Sequence, residues 1–179
     1  GLGDVYKRQD KMSSLSSQKN EETIKSLSNE ITKLGGKPIK KSDDLKITIK
    51  ELTKQLEEIK VKSILSDKKK NIVKDENIKK INIRFQKIDD LPFKELRRLV
   101  DQGKKDIKEG IVVIYAIKDD KIGLAVGVTD SLTKKYDAIK FVKSGSEILG
   151  GKGGGGRSDF AQAGGVHSNK IEESFEKIK

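Results

Sequence analysis

Between residues 13 and 34 the apolar positions Ile24, Leu27, Ile31 and Leu34 recur every three or four residues among polar neighbours. That spacing lays one narrow apolar stripe along a helix. Gly35-Gly36-Lys37-Pro38 ends it, since glycine suits a C-terminal cap and proline cannot continue the ladder. Ser42 is the predicted cap of a second helix, with Asp43 and Asp44 set against its positive end. Leu45, Ile49, Leu52, Leu56 and Ile59 then keep a heptad spacing. The short connection predicts an antiparallel helical hairpin, a coiled-coil-like arm over residues 10–75. So narrow a stripe needs a partner helix or a second chain. Residues 66–80 carry the weakest pattern and read as a linker or helix end.

From residue 80 the period falls to two. Ile81, Ile83 and Phe85 alternate with Asn82, Arg84 and Gln86, a strand with one buried face. Pro92 fits the first turn of a helix that buries Leu96, Leu99, Val100 and Ile107 and stops at Gly110. Ile111 to Ile117 is a near-continuous β-branched run, hence a central strand. Asp119-Asp120-Lys121 turns the chain into a hairpin partner from Ile122 to Val128. Helices are predicted from about Tyr136 to Leu149 and near Asn169–Lys179, with a glycine-rich loop between them. The fold class is therefore α+β: a helical arm, then a small α/β globular domain with a mixed sheet over residues 76–179.

Composition narrows the chemistry. Among 179 residues there is no Cys and one His, so disulfides, thiolate metal sites and His-rich zinc sites are excluded. No apolar run approaches the roughly 18–20 residues that span a bilayer, so no membrane partner is expected. The expectation is a chain of the cytoplasm. The net charge of +11 divides evenly, +6 over residues 1–70 and +5 over the remainder. Such a surface attracts polyanions. Lysine far outnumbers the five arginines, and isoleucine is heavily used, which fits an AT-rich coding bias. Gly1 to Gln9 (Gly-Leu-Gly-Asp-Val-Tyr-Lys-Arg-Gln) looks like a translated sequencing adaptor and is set aside as a scar.

Eight of the 17 glycines fall between Gly150 and Gly165, interrupted by Phe160, Ala161 and Ala163. Clustered glycine permits positive φ, close backbone approach and an anion-binding nest. Lys152 and Arg157 add cations, and arginine can hold phosphate with two donors. Lys152, Gly153, Gly154, Gly155, Gly156 and Arg157 are accordingly the candidate nucleic-acid-binding residues. Close packing of the glycines, and a salt bridge from Arg157 to Asp159, are the competing structural readings. Gly151-x-Gly153-x-x-Gly156 satisfies GxGxxG only trivially and follows a helix, while Gly153 after Lys152 breaks a Walker A loop. Phe160 reads as buried, and His167 as an exposed loop residue. No catalytic or metal-ligating residue is assigned.

The string from Gly150 to Gly165 closely resembles the signature of the alanyl-tRNA synthetase C-terminal domain, a DHH-associated domain also found in DHH phosphoesterases. The resemblance extends to Leu96-Arg97, Asp101, the hairpin Ile111–Thr129, Asp130-Ser131-Leu132-Thr133 and the arm over residues 13–70. Ser158 stands where proline is usual and Phe160 where methionine is common. Lys152 replaces the histidine of the phosphoesterase branch, favouring the synthetase; the alternative is the substrate-binding domain of a DHH phosphoesterase or exonuclease. The resemblance implies a part that grips tRNA(Ala) and can form a homodimer through the arm or the globular domain. It places ATP, Mg and Zn chemistry, and the acylation and editing centres, in segments outside these residues.

Overall fold

The chain is described over all residues 1–179 as a computed structural model, which separates into two compact units at Ser63/Ile64.

The first unit is a helix pair, α1 (Leu2–Lys33) and α2 (Leu45–Ser66). The helix α1 includes residues 2–9 of the segment set aside from the sequence, with Gly1 as its N-cap. Ile24, Ile31, Leu52 and Leu56 form the seam, flanked by Leu27, Leu45, Ile49 and Ile59, as the heptad pattern predicts. Ile31 and Leu52 are fully buried, and each contributes about 2 kcal/mol of transfer free energy. The cap of α2 is Asp44, whose Oδ1 accepts from Lys46 N–H at 2.9 Å and Ile47 N–H at 3.1 Å. Ser42, the predicted cap, instead donates its hydroxyl to the Asp44 carbonyl.

The direction of the pair differs from the antiparallel expectation. Lys60 of α2 pairs with Glu30 near the end of α1, while Lys41, just before α2, pairs with Glu21. Gly36, just past α1, abuts Ile59, and Gln55 bonds Lys37 and Ile39. Residues 34–44 therefore run back along α2, and the two helices point the same way. A hydrophobic period fixes which faces meet but carries no direction.

The second unit is a six-stranded mixed sheet in the order β1-β2-β3-β4-β6-β5. Its strands are β1 (Asn71–Ile78), β2 (Ile81–Asp89), β3 (Ile111–Lys118), β4 (Lys121–Val128), β5 (Gly154–Arg157) and β6 (Phe160–Gly165). Only β2 and β3 are parallel; α3 (Leu96–Ile107) connects them. β3 is buried from Ile111 to Ala116, as a central strand covered on both faces must be. On one face α4 (Ala138–Ile148) and α5 (Ile171–Ile178) pack Val142, Leu149, Phe175 and Ile178 against Val113, Tyr115, Leu124 and Val126. On the other, α3 lies over β2, β3 and β4, and Gly123 and Gly127 leave room for Leu96, Phe93 and Val100.

Two readings need correction. Residues 71–78, within the stretch read as a linker, form the edge strand β1, paired with β2 from Asn71↔Ile88 to Ile78↔Ile81. The glycine segment is not one loop. Residues 154–165 fold as the hairpin β5–β6, paired from Gly154↔Ala163 to Arg157↔Phe160.

A buried polar chain joins three elements: the Tyr115 hydroxyl lies 3.0 Å from Ser174 Oγ, which donates to the Gly145 carbonyl at 2.9 Å. Desolvation pushes the Tyr115 phenol well above its ordinary value, so it stays neutral.

Candidate nucleic-acid interface

The glycines of the candidate segment divide by cause. A side chain on Gly151 would meet the Gly164 carbonyl; one on Gly154 would meet the Gln162 carbonyl, Ala163 and Val142. Gly156 is pressed against Phe160 and Ala161 at φ +154°. These three are required by the close passage of the backbone over β6 and α4, the structural reading considered from the sequence. Gly153 has φ +95° with open space around it, and Gly155 has open space without a positive φ. Lys152, just ahead of β5, is exposed and makes no ion pair. β5 is the sheet's outer strand, so its far edge keeps backbone groups that no strand pairs.

Arg157, at the tight turn between β5 and β6, is 68% exposed. Its Nε and Nη2 donate to the two carboxylate oxygens of Asp159 at 3.1 and 3.3 Å. Much of its charge is thus compensated within the turn. Asp159 also draws in Lys104 of α3, whose Nζ stands 3.9 Å from both Asp159 and Asp130.

That contact connects the hairpin to a cationic face on α3 that lies outside the candidate residues 152–157. Along α3 and the residue after it, Arg97, Arg98, Lys104, Lys105 and Lys108 recur at helical spacing. Arg98 pairs with Glu95 at 2.8 Å, and Arg97 sits 4.0 Å from Asp101. Lys105 and Lys108 are exposed and make no ion pair, and they line an open depression of about 530 Å³ with Lys104, Thr129, Asp130 and Ser131. Basic pairs seven residues apart, Arg97-Arg98 and Lys104-Lys105, followed by Lys108 one turn on, were the signal that could have found this face.

Phe160 is buried, as expected, but not inertly: the Arg97 guanidinium carbon lies 4.9 Å from its ring centroid. His167 is exposed, with its ring over Gly150. The geometry offers fixed cations, a strand edge and hydroxyls for binding an anion. It brings together no cluster of three or more metal-donor side chains.

Residues 80–179, from the β1–β2 turn to the C-terminal helix, match the DHHA1 domain family. The chain belongs to that family. Outside the DHHA1 match lie the helix pair and β1. The alanine–tRNA ligase of Parvibaculum lavamentivorans is 44% identical over 100 residues, 55% of this chain and 11% of that ligase. That of Hyphomonas neptunium is 41% identical over 104 residues, 58% of this chain and 12% of the ligase. The chain thus spans about a ninth of the curated relatives it matches. Among solved structures, the C-Ala domain of Aquifex aeolicus alanyl-tRNA synthetase superposes with a TM-score of 0.55 at 32% identity, covering 57% of this chain and 92% of that domain. These relatives favour the synthetase branch of the DHHA1 family over the phosphoesterase alternative.

Proposed function

We propose that this chain is the C-terminal, tRNA-binding region of an alanine–tRNA ligase. The observation that carries the reading is the likeness to nearly the whole C-Ala domain at 32% identity. The open cations Lys105 and Lys108 after Arg97 and Arg98 on α3, and Lys152 ahead of β5, support it. They are exposed and make no ion pair, and lysine contacts to phosphate would position the RNA rather than read its sequence. Lys152 and the backbone of Gly153–Gly156 stay in the proposed contact surface; Arg157 joins it in competition with Asp159. In this reading the chain holds tRNA(Ala) in the cytoplasm while acylation and editing centres elsewhere in the ligase act on it.

The ATP, Mg and Zn of the longer ligase would be held by other segments. With no Cys and a single His, this chain does not have the donor set for a Cys/His structural zinc site. Self-association belongs to the same proposal. Exposed apolar side chains along α1, Met12 and Leu15 among them, support pairing through the helical arm. Light scattering of the purified chain at twice monomer mass is the expected result, and a monomer at all concentrations would contradict pairing.

The salt dependence of binding tests the main reading. Affinity for a tRNA(Ala) transcript should fall by an order of magnitude or more between about 50 and 200 mM salt, as a surface displacing several counterions requires. A flat salt response, or no binding, would refute it.

A further inference from the structure

Beside the cationic face, on the same side of the sheet as α3, lies a second open cleft of about 650 Å³. Phe93 and Arg97 form one wall, and Phe160, Gln162 and Gly164 of β6 lie on the other side, with Gly153 at the rim. Register explains its flatness. Gly164 stands opposite Gly123, and Gln162 stands between Ala125 and Gly155. Directly opposed residues share a face, so this row carries small residues with one amide side chain rising from them.

Gly164 is the informative residue. It is exposed, has no positive φ, and an added Cβ would meet nothing nearer than the Ile122 carbonyl at 3.8 Å. Neither backbone conformation nor packing calls for glycine there. Its neighbour Gly165, by contrast, lies against Leu149. The one thing glycine does at 164 is keep the cleft floor bare. Above the floor are groups suited to a ring: Phe93 is 36% exposed, and the Arg97 guanidinium carbon lies over Phe160.

We infer that this cleft receives the exposed face of an RNA nucleobase. The ring would lie on the glycine floor between Phe93 and Arg97, with the Gln162 amide meeting its edge. A ring in this position puts its backbone beside the cations of α3, which is why a nucleic acid, rather than an apolar peptide, is the partner that fits. The inference rests on the tRNA-binding reading and adds a ring-binding subsite to it.

Fluorescence anisotropy of a labelled tRNA(Ala) transcript with the whole chain tests it. Gly164→Val fills the floor with a side chain suited to a strand, and should weaken binding about fivefold or more while leaving the salt slope unchanged. Lys108→Ala should instead lower the slope by about one. Should circular dichroism show Gly164→Val misfolded, Gln162→Ala at an exposed position carries the test, with about threefold weakening expected. Folded variants binding within about twofold of the parent, with the parent's salt-dependent binding intact, overturn the subsite and leave the tRNA reading standing. Absence of parent binding overturns both.

Discussion

Arg157 and Asp159 form a two-pronged ion pair across the β5–β6 turn, at 3.1 and 3.3 Å, so the arginine most suggestive of phosphate binding already holds a carboxylate. Lys104 shares that carboxylate at 3.9 Å. Replacing Asp159 by Asn keeps the shape of the turn and releases Arg157, while Lys104 keeps Asp130. Asp159→Asn should therefore tighten tRNA binding and steepen its salt slope by about one unit. Arg157→Ala should weaken it by only about twofold. Anisotropy titrations at two salt concentrations check both, and weaker binding by Asp159→Asn would mean that the pair acts as a unit.

The glycines of the hairpin should respond unequally. Gly154→Ala drives a methyl into the Gln162 carbonyl and Val142, and should cost about 1–3 kcal/mol. Gly155→Ala meets open space at an ordinary φ and should be neutral or stabilising by up to about 1 kcal/mol. Urea denaturation of the two variants separates them; equal losses would contradict the packing account.

Tyr115 and Ser174 offer a second asymmetry. Tyr115→Phe leaves Ser174 still bonded to the Gly145 carbonyl and should cost about 1 kcal/mol. Ser174→Ala strands the buried Tyr115 hydroxyl and should cost about 1–3 kcal/mol. The order of the two midpoints in urea is the check.

At the opposite edge of the sheet, Arg84 donates to both oxygens of Asp75, its register partner on β1, at 2.7 and 2.8 Å. This hydrogen bonding holds the Asp75 carboxyl below its ordinary value of 3.8. The folded chain then binds this proton less readily than the unfolded chain. The stabilisation is present above pH 3.8 and is lost as pH falls through the lower folded value. Asp75→Asn should remove that part of the acid dependence, as seen in thermal midpoints measured across mildly to strongly acid pH.

The strands with a buried face were legible because alternation or a β-branched run survives in Ile81–Phe85 and Ile111–Ile117. The edge strand β1 was not: most of its residues are exposed, so no apolar face marks Asn71–Ile78. Its turn is also unmarked, since Lys79 and Lys80 take φ of 50° and 69° where Asn-Gly would be the usual signal. β5 is almost all glycine, a poor strand former held in place by β6 and α4. Parallel packing of the helix pair depends on Gly36 and Ile39 retracing α2 past Ile59 and Gln55, which no period encodes. As for the site, the cations at 152 and 157 were visible, but Asp159's hold on Arg157 was open and the meeting of Phe93 and Arg97 with β6 needs the fold.

The parallel pair has its own test. With no native Cys, spin labels can be placed by single substitutions. Labels at Glu30→Cys and Lys60→Cys should lie close together, and labels at Glu30→Cys and Lys46→Cys farther apart, the two α2 sites being about 21 Å apart along the axis. The reverse order would mean an antiparallel pair.

The central claim is that this chain grips the body of a tRNA. Its affinity for intact tRNA(Ala) against an acceptor-stem minihelix lacking the elbow half, measured at one salt concentration, tests it most directly. Intact tRNA should bind at least about tenfold more tightly. Equal affinity for the minihelix would contradict the account.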